Sequence, residues 1–215
     1  MQPTLVARPF HRQGWSYEEK YDGWRLVGYK SAGRVWLLSR NHRDHTRRFP
    51  ALAAAIAGLA PPTLILDGEM VIFDAQLISR FEWLRRRDPK AVATPPIYMA
   101  FDLLRTGPHD LRREPLRTRR AALERLVDGQ NLLFPARRVA ASGLQAWEEV
   151  QLRGYEGLVA KDEASPYVGG RTLAWLKVKQ RDYRVAARGF QAPSRTSADR
   201  AKRANRGHIQ TDQRG

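Results

Sequence analysis

The chain has 215 residues, 42% hydrophobic and 28% charged, enough for one large domain or two small ones. It contains no cysteine, which excludes a disulfide framework and thiolate metal sites, and no apolar run of membrane-spanning length. Its 38 Lys+Arg against 22 Asp+Glu leave a formal charge of +16, which suits a polyanion such as nucleic acid; the alternative is a generally arginine-rich surface.

Residues 1–10 hold prolines and Arg8 rather than the apolar core of a secretory signal, so a cytoplasmic, membrane-free location is expected. Residues 15–21 read as a strand. Residues 25–30 and 34–39 read as two more, joined by a turn at Ser31-Ala32-Gly33. Lys20 then ends the first strand and opens the pattern Lys-x-Asp-Gly-x-Arg, with Asp22-Gly23 supplying turn chemistry. An amine nucleophile needs cationic neighbours or burial to lose its proton near neutral pH, because a free lysine amine has a pKa of about 10.4. Arg25 carries a planar fork suited to a phosphate or ribose oxygen. Taken alone, these six residues are a weak signal, and the bland alternative is a charged hairpin tip.

Further on, Arg40 closes the third strand and is either a phosphate contact or a surface arginine; a helix is expected over 51–59. Residues 63–74 alternate as a strand, with Asp67 and Glu69 on the face that carries Ile65 and Val71. Two carboxylates on an apolar face need a ligand, a cation or a structural ion pair. Ser79 reads as the cap of a short helix. Strand 97–104 carries Phe101, either a stacking platform for a base, worth roughly 1–3 kcal/mol, or ordinary core. Helix 116–127, a strand over 132–140 and helix 143–152 follow.

Glu156 then stands at the mouth of a strand starting at Gly157, a plausible place for a Mg²⁺ ligand, since Mg²⁺ at phosphoryl-transfer sites takes one or two protein carboxylates. Strand 175–179 puts Lys177 and Lys179 on one face, where like charges repel unless an anion lies between them. Residues 191–215 lose the apolar pattern and read as a basic, disordered tail beyond a domain of residues 1–190.

In order and wording these segments resemble the adenylation domain of ATP-dependent DNA ligases over about residues 4–183. The motifs are Lys20-Tyr21-Asp22-Gly23-Trp24-Arg25, Ser39-Arg40-Asn41 continuing to Arg48-Phe49-Pro50, and Leu66-Asp67-Gly68-Glu69. After them come Ala100-Phe101-Asp102-Leu103-Leu104, Glu156-Gly157-Leu158-Val159-Ala160-Lys161 and Trp175-Leu176-Lys177-Val178-Lys179. The resemblance implies an α+β nucleotidyltransferase domain of antiparallel sheets with flanking helices and the nucleotide between them. It implies that Lys20 attacks ATP and carries AMP, that Glu18 recognises adenine and Phe101 stacks on it, and that Arg25 and Glu69 hold the ribose. Arg40, Lys177 and Lys179 would face phosphates, and Glu156, with Asp67 second to it, would bind Mg²⁺ or Mn²⁺. The implied partner is nicked double-stranded DNA, sealed in repair by a monomer.

Two departures from the family pattern stand out. His42 occupies the place where the family usually has glycine. The family also follows the paired-lysine strand with an OB fold of five strands of about 5–6 residues, and only 36 residues follow Lys179. The chain is therefore expected to be an adenylation domain standing alone, served by a separate OB-fold or repair protein, or a fragment of a longer ligase. The other readings of the same residues are an RNA ligase, a capping-type guanylyltransferase, or a catalytically weak nucleic-acid-binding accessory protein.

Overall fold

Period-two alternation of apolar side chains builds two β-sheets that divide the strands unevenly along the chain. The structure, a computed structural model, describes residues 1–85, 92–181 and 183; the expected tail and the domain boundary at residue 190 lie outside these. In chain order the elements are β1 (Gln2–Leu5), β2 (Trp15–Glu19), β3 (Trp24–Ser31), β4 (Arg34–Ser39), a 3-10 turn (Thr46–Arg48) and α1 (Pro50–Gly58). Next come β5 (Leu64–Val71), α2 (Phe81–Arg85), β6 (Ile97–Thr106), β7 (His109–Asp110), α3 (Leu116–Val127), β8 (Leu133–Pro135) and β9 (Arg138–Ala140). The described chain ends with α4 (Gly143–Arg153), β10 (Gly157–Asp162) and β11 (Arg171–Lys179). One sheet has the order β1-β11-β10-β2-β9, and the other β4-β3-β5-β6-β7 with β8 also on β6. Pairing is antiparallel except at β1/β11 and β6/β8, which are parallel.

Each sheet buries one face under helices, as the amphipathic patterns require. Leu26, Leu37, Leu66 and Met70 of the second sheet pack with Leu52 and Ile56 of α1 and Leu123 and Val127 of α3. Tyr17, Leu158, Ala160 and Val178 of the first sheet pack against Ala146 and Val150 of α4. The opposite faces of both sheets look into the cleft between them. Arg119 of α3 is locked to the second sheet by a two-pronged pair with Asp102, at 2.7 and 2.8 Å, with both side chains fully buried.

Three expectations need correction. The segment 20–25 is not a hairpin tip: β2 and β3 belong to different sheets, so Asp22-Gly23 carries the chain across the cleft. Gly23 is needed there for close approach, since a Cβ at this position would lie 2.3 Å from the Met70 carbonyl oxygen. The strand expected over 132–140 is two strands, β8 on the second sheet and β9 on the first, with Ala136 and Arg137 as the crossing. Ser79 does not cap α2: its Oγ accepts the Asp22 N–H at 2.8 Å, and the Asp22 carboxylate accepts the Phe81 N–H at 3.4 Å.

The loop after β4 explains the departure at residue 42. His42 has φ +57, a left-handed conformation that a glycine adopts without strain, and its N–H closes a turn on the Ser39 carbonyl at 2.8 Å. The run that follows packs back on the crossing segment. Arg48 lies 4.7 Å from the centroid of the Trp24 ring, and Phe49 meets the same ring edge-on at 6.2 Å.

Candidate active site

The cleft between the sheets encloses about 370 Å³. From the first sheet it is lined by Glu18, Val159, Lys161, Arg171, Trp175 and Lys177, and from the second by Arg25, Glu69 and Phe101; Arg40 and Lys20 stand at the strand ends. Strand register explains this grouping. Glu18 lies opposite Val159, and Val159 opposite Lys177, so the three form one row across the sheet; Lys161 and Trp175 form the next row on the same face.

Lys20 is the first residue after β2, and its backbone N–H donates to the Gly157 carbonyl at 3.0 Å. Its amine donates to Glu156 Oε2 at 2.5 Å, and the other oxygen of Glu156 pairs with Lys179 at 2.7 Å. Glu156 is held at this point because Gly157 lies tight against β11: a Cβ there would sit 2.1 Å from the Val178 carbonyl oxygen. Lys177 reaches the same cluster from one row away. Partial burial lowers the pKa of its amine, and the charges of Lys20, Lys179 and Arg171 push the same way. This is the electrostatic signature of a place prepared for an anion.

Glu69 lies in the cleft across from Lys20. Burial raises its carboxyl pKa to about 8 against the opposing pull of Lys20 and Arg25. Glu18 is buried and doubly paired, to Lys161 at 2.5 Å and to Arg120 at 2.8 Å. Burial lowers the pKa of the Lys161 amine, and Glu18 opposes that shift. The same amine lies 4.6 Å from the Phe101 ring centroid and 4.3 Å from that of Trp175, and Arg25 lies 5.3 Å from Phe101. The Trp175 ring nitrogen is buried with no hydrogen-bond partner among the described residues. A flat, partly apolar ligand with polar edges suits such a wall.

Of the ten residues singled out in the sequence, seven line the cleft: Glu18, Lys20, Arg25, Arg40, Glu69, Phe101 and Lys177. Glu156 and Lys179 join them through Lys20. Asp67, the lesser metal candidate of the sequence, has a structural ion pair as its other reading. It is fully buried, takes Arg25 at 3.0 and 2.6 Å and accepts the Tyr167 hydroxyl at 2.7 Å, so its oxygens are already committed to orienting Arg25. Among the described residues no group of three or more His, Asp or Glu side chains is placed to hold a metal. A Mg²⁺ or Mn²⁺ ion would therefore rely on Glu156 and on oxygens of a bound phosphate, which is the ordinary habit of Mg²⁺.

Lys161 and Trp175 were not assigned roles from sequence. The period-two rule would have placed both, since Lys161 shares parity with Val159 and Trp175 with Lys177. Arg171, at the start of β11, shares the parity of Trp175 and Lys177 and lines the same cleft.

Two sheets closing on a cleft, with a lysine–glutamate–lysine cluster at the end of β2, define the chain as an α+β nucleotidyltransferase domain. Within that class it belongs to the ATP dependent DNA ligase domain family, which matches residues 3–179. It is 36% identical over 179 residues to the multifunctional non-homologous end joining protein LigD of Pseudomonas aeruginosa, an alignment covering 82% of this chain and 21% of that protein. Against DNA ligase C of Mycobacterium tuberculosis it is 35% identical over 161 residues, covering 68% of this chain and 45% of the relative. The chain thus spans about a fifth of the length of the LigD relative and under half of the ligase C relative. Among solved structures it matches a mycobacterial DNA ligase D complexed with ATP and MES. The TM-score is 0.69 at 29% identity over 83% of this chain and 60% of that one. The ligase domain of M. tuberculosis LigD gives 0.68 at 30% identity, over 82% of this chain and 59% of that one.

Proposed function

We propose that this chain transfers adenylate from ATP, through Lys20, to the 5′-phosphate of nicked DNA. The observation that carries this reading is the Lys20–Glu156–Lys179 bridge set at the edge of a base-sized cleft. The deprotonated Lys20 amine attacks the α-phosphorus; the N–P bond forms, the bond to pyrophosphate breaks and pyrophosphate leaves. The phosphoramidate is then attacked by a DNA 5′-phosphate oxygen, returning the amine, and a 3′-hydroxyl displaces AMP to join the strands.

The surroundings support a role for each residue. Lys177 and Lys179 meet the charge that develops on phosphate oxygens, a contribution commonly worth about 3–4 kcal/mol per removed donor. Arg40 reaches phosphate from the β4 end. Arg25, fixed by Asp67, and Glu69 face the sugar. Glu18 reads the base edge beside Phe101, its orientation set by Arg120 and Lys161. A divalent cation at Glu156 would neutralise phosphate charge, and to bind there it would displace an amine from the carboxylate.

The relatives named as non-homologous end joining proteins support DNA-end repair as the setting. The charge of +16 supports nicked duplex as substrate. We place the catalytic unit at residues 1–190 and expect an OB fold, on the same polypeptide or on a partner, to close over the nucleotide. No described helix is long and apolar enough to cross a membrane.

The test is incubation with α-labelled ATP and Mg²⁺ or Mn²⁺, then a denaturing gel. An acid-labile label should appear on the chain and vanish in Lys20→Ala. Label at full stoichiometry in Lys20→Ala would overturn the assignment. Label from GTP in place of ATP, or sealing of nicked RNA in place of DNA, would move the chain to one of the sister activities.

A further inference from the structure

Behind the cleft, one residue of the crossing between β8 and β9 reaches both flanks of Lys20. The Arg137 carbonyl accepts the N–H of Glu19 at 3.0 Å, and the Arg137 N–H donates to the hydroxyl of Tyr21 at 2.8 Å. Its guanidinium stands 3.5 Å from Glu19 Oε2 and donates to the Tyr155 hydroxyl at 2.5 Å. Tyr155 immediately precedes Glu156. Arg137 therefore holds the chain neighbours of both members of the Lys20–Glu156 pair while not pairing with Lys20 or Glu156.

The environment makes these contacts matter. Glu19 and Tyr155 are each only 3% exposed, and Glu19 Oε2 has no hydrogen-bond partner among the described residues. The charge of Arg137, with that of Arg153 beyond it, is what opposes the burial of this carboxylate. Arg137 also sits where the chain passes from one sheet to the other, and its partners Glu19, Tyr21 and Tyr155 flank the ends of β2 and β10 at which Lys20 and Glu156 stand.

We propose that Arg137 is a positioning residue for the Lys20 amine, acting through Glu19, Tyr21 and Tyr155; this rests on the adenylate-transfer reading above. In-line attack tolerates little misplacement, and about 1 Å of it costs on the order of a hundredfold in rate. Truncating the side chain leaves the two backbone contacts in place, so the fold should survive while the grip on Glu19 and Tyr155 is lost.

The experiment compares wild type, Arg137→Ala, Arg137→Lys and Tyr155→Phe by two readouts. In the first, the rate of covalent labelling from ATP should fall at least about tenfold in Arg137→Ala, with KM for ATP held within about twofold. Arg137→Lys, which keeps a cation facing Glu19, should recover part of the rate, and Tyr155→Phe should lie between. In the second, without ATP, a small water-soluble acylating reagent should modify Lys20 faster in Arg137→Ala than in wild type, relative to the other lysines, because the Lys20–Glu156 pair is looser. Wild-type labelling with wild-type Lys20 acylation in Arg137→Ala would overturn the proposal. So would a loss of ATP affinity and melting temperature with no selective change at Lys20. If wild type takes no label from ATP, the adenylate-transfer reading falls, and the acylation comparison still decides the role of Arg137.

Discussion

Glu156 bridges two amines, with Oε2 at 2.5 Å from Lys20 Nζ and Oε1 at 2.7 Å from Lys179 Nζ. On the proposed function, the attacking amine is thus held as half of an ion pair, and the other half is the carboxylate proposed for a metal. An entering polyphosphate offers both amines an alternative anion, and a divalent cation offers the carboxylate an alternative partner. On the adenylate-transfer reading, the bridge is a resting arrangement that the substrate would open.

Removing that carboxylate gives the first expected outcome. Glu156→Gln keeps the shape but loses the charge that orients Lys20 and would receive a metal. Covalent labelling from ATP should fall by about tenfold to a thousandfold, and extra Mn²⁺ should not restore it fully. Gel-based single-turnover labelling measures this. Labelling at the wild-type rate would mark the bridge as structural.

The crossing segment gives a stability prediction. In Gly23→Ala the new methyl must occupy space 2.3 Å from the Met70 carbonyl and 2.9 Å from side-chain carbons of Glu69 and Val71. Since one contact is backbone, the strain cannot be relieved by a rotamer change, and a loss of about 1–3 kcal/mol is expected. Thermal denaturation should show a drop of several degrees. An unchanged midpoint would mean that the crossing relaxes freely, and Lys20 labelling should then be unchanged too.

Glu19 predicts a pH dependence of stability. Burial raises its carboxyl pKa from 4.5 to about 7 in the folded chain, against the lowering influence of Arg137 and Arg153. Between these values the folded state holds a proton that the unfolded chain has released. Stability from this group is therefore full below pH 4.5 and is lost as pH rises towards 7, on the order of 1–3 kcal/mol. Glu19→Gln should remove that decline. Urea midpoints taken across pH 5 to 8 test it, and parallel slopes for the two proteins would refute the assignment.

The parts of the site that could be read from sequence share a cause. Lys20, Arg25, Asp67, Glu69, Glu156 and Lys177 lie on or beside regular strands, where a two-residue period and local spacing fix the face. What escaped depends on which sheet a strand joins. Residues 132–140 read as one extended stretch, and nothing in Pro135-Ala136-Arg137-Arg138 reveals that Leu133 pairs with Tyr98 while Ala140 pairs with Tyr17. Arg137 became visible only once that division was known. Asp67 stayed open because a buried carboxylate reads alike from sequence whether its partner is a metal or, as here, an arginine one row away on the neighbouring strand. The cap of α2 was misplaced for a similar reason, since Asp22 comes from 59 residues upstream to take the Phe81 N–H.

DNA affinity should be strongly salt-dependent, and its slope can be divided between the cleft and the C-terminal segment. Each phosphate neutralised by a lysine or arginine adds about 0.9 to the steepness of log affinity against log salt. Residues 191–215 contain six Lys/Arg and two Asp. If these cations meet the duplex, deleting the segment should weaken binding to nicked DNA and flatten the slope by about 2–5. Arg40, at the end of the cleft, is a single contact by the same logic, so Arg40→Ala should flatten the slope by about 1. Covalent labelling by ATP involves no DNA and should be unaffected by the deletion, which separates loss of DNA contact from damage to the site. Titrations of labelled nicked duplex at several salt concentrations supply the slopes. An unchanged slope after the deletion would confine the DNA contacts to the domain itself, and an unchanged slope in Arg40→Ala would leave Arg40 to the nucleotide alone.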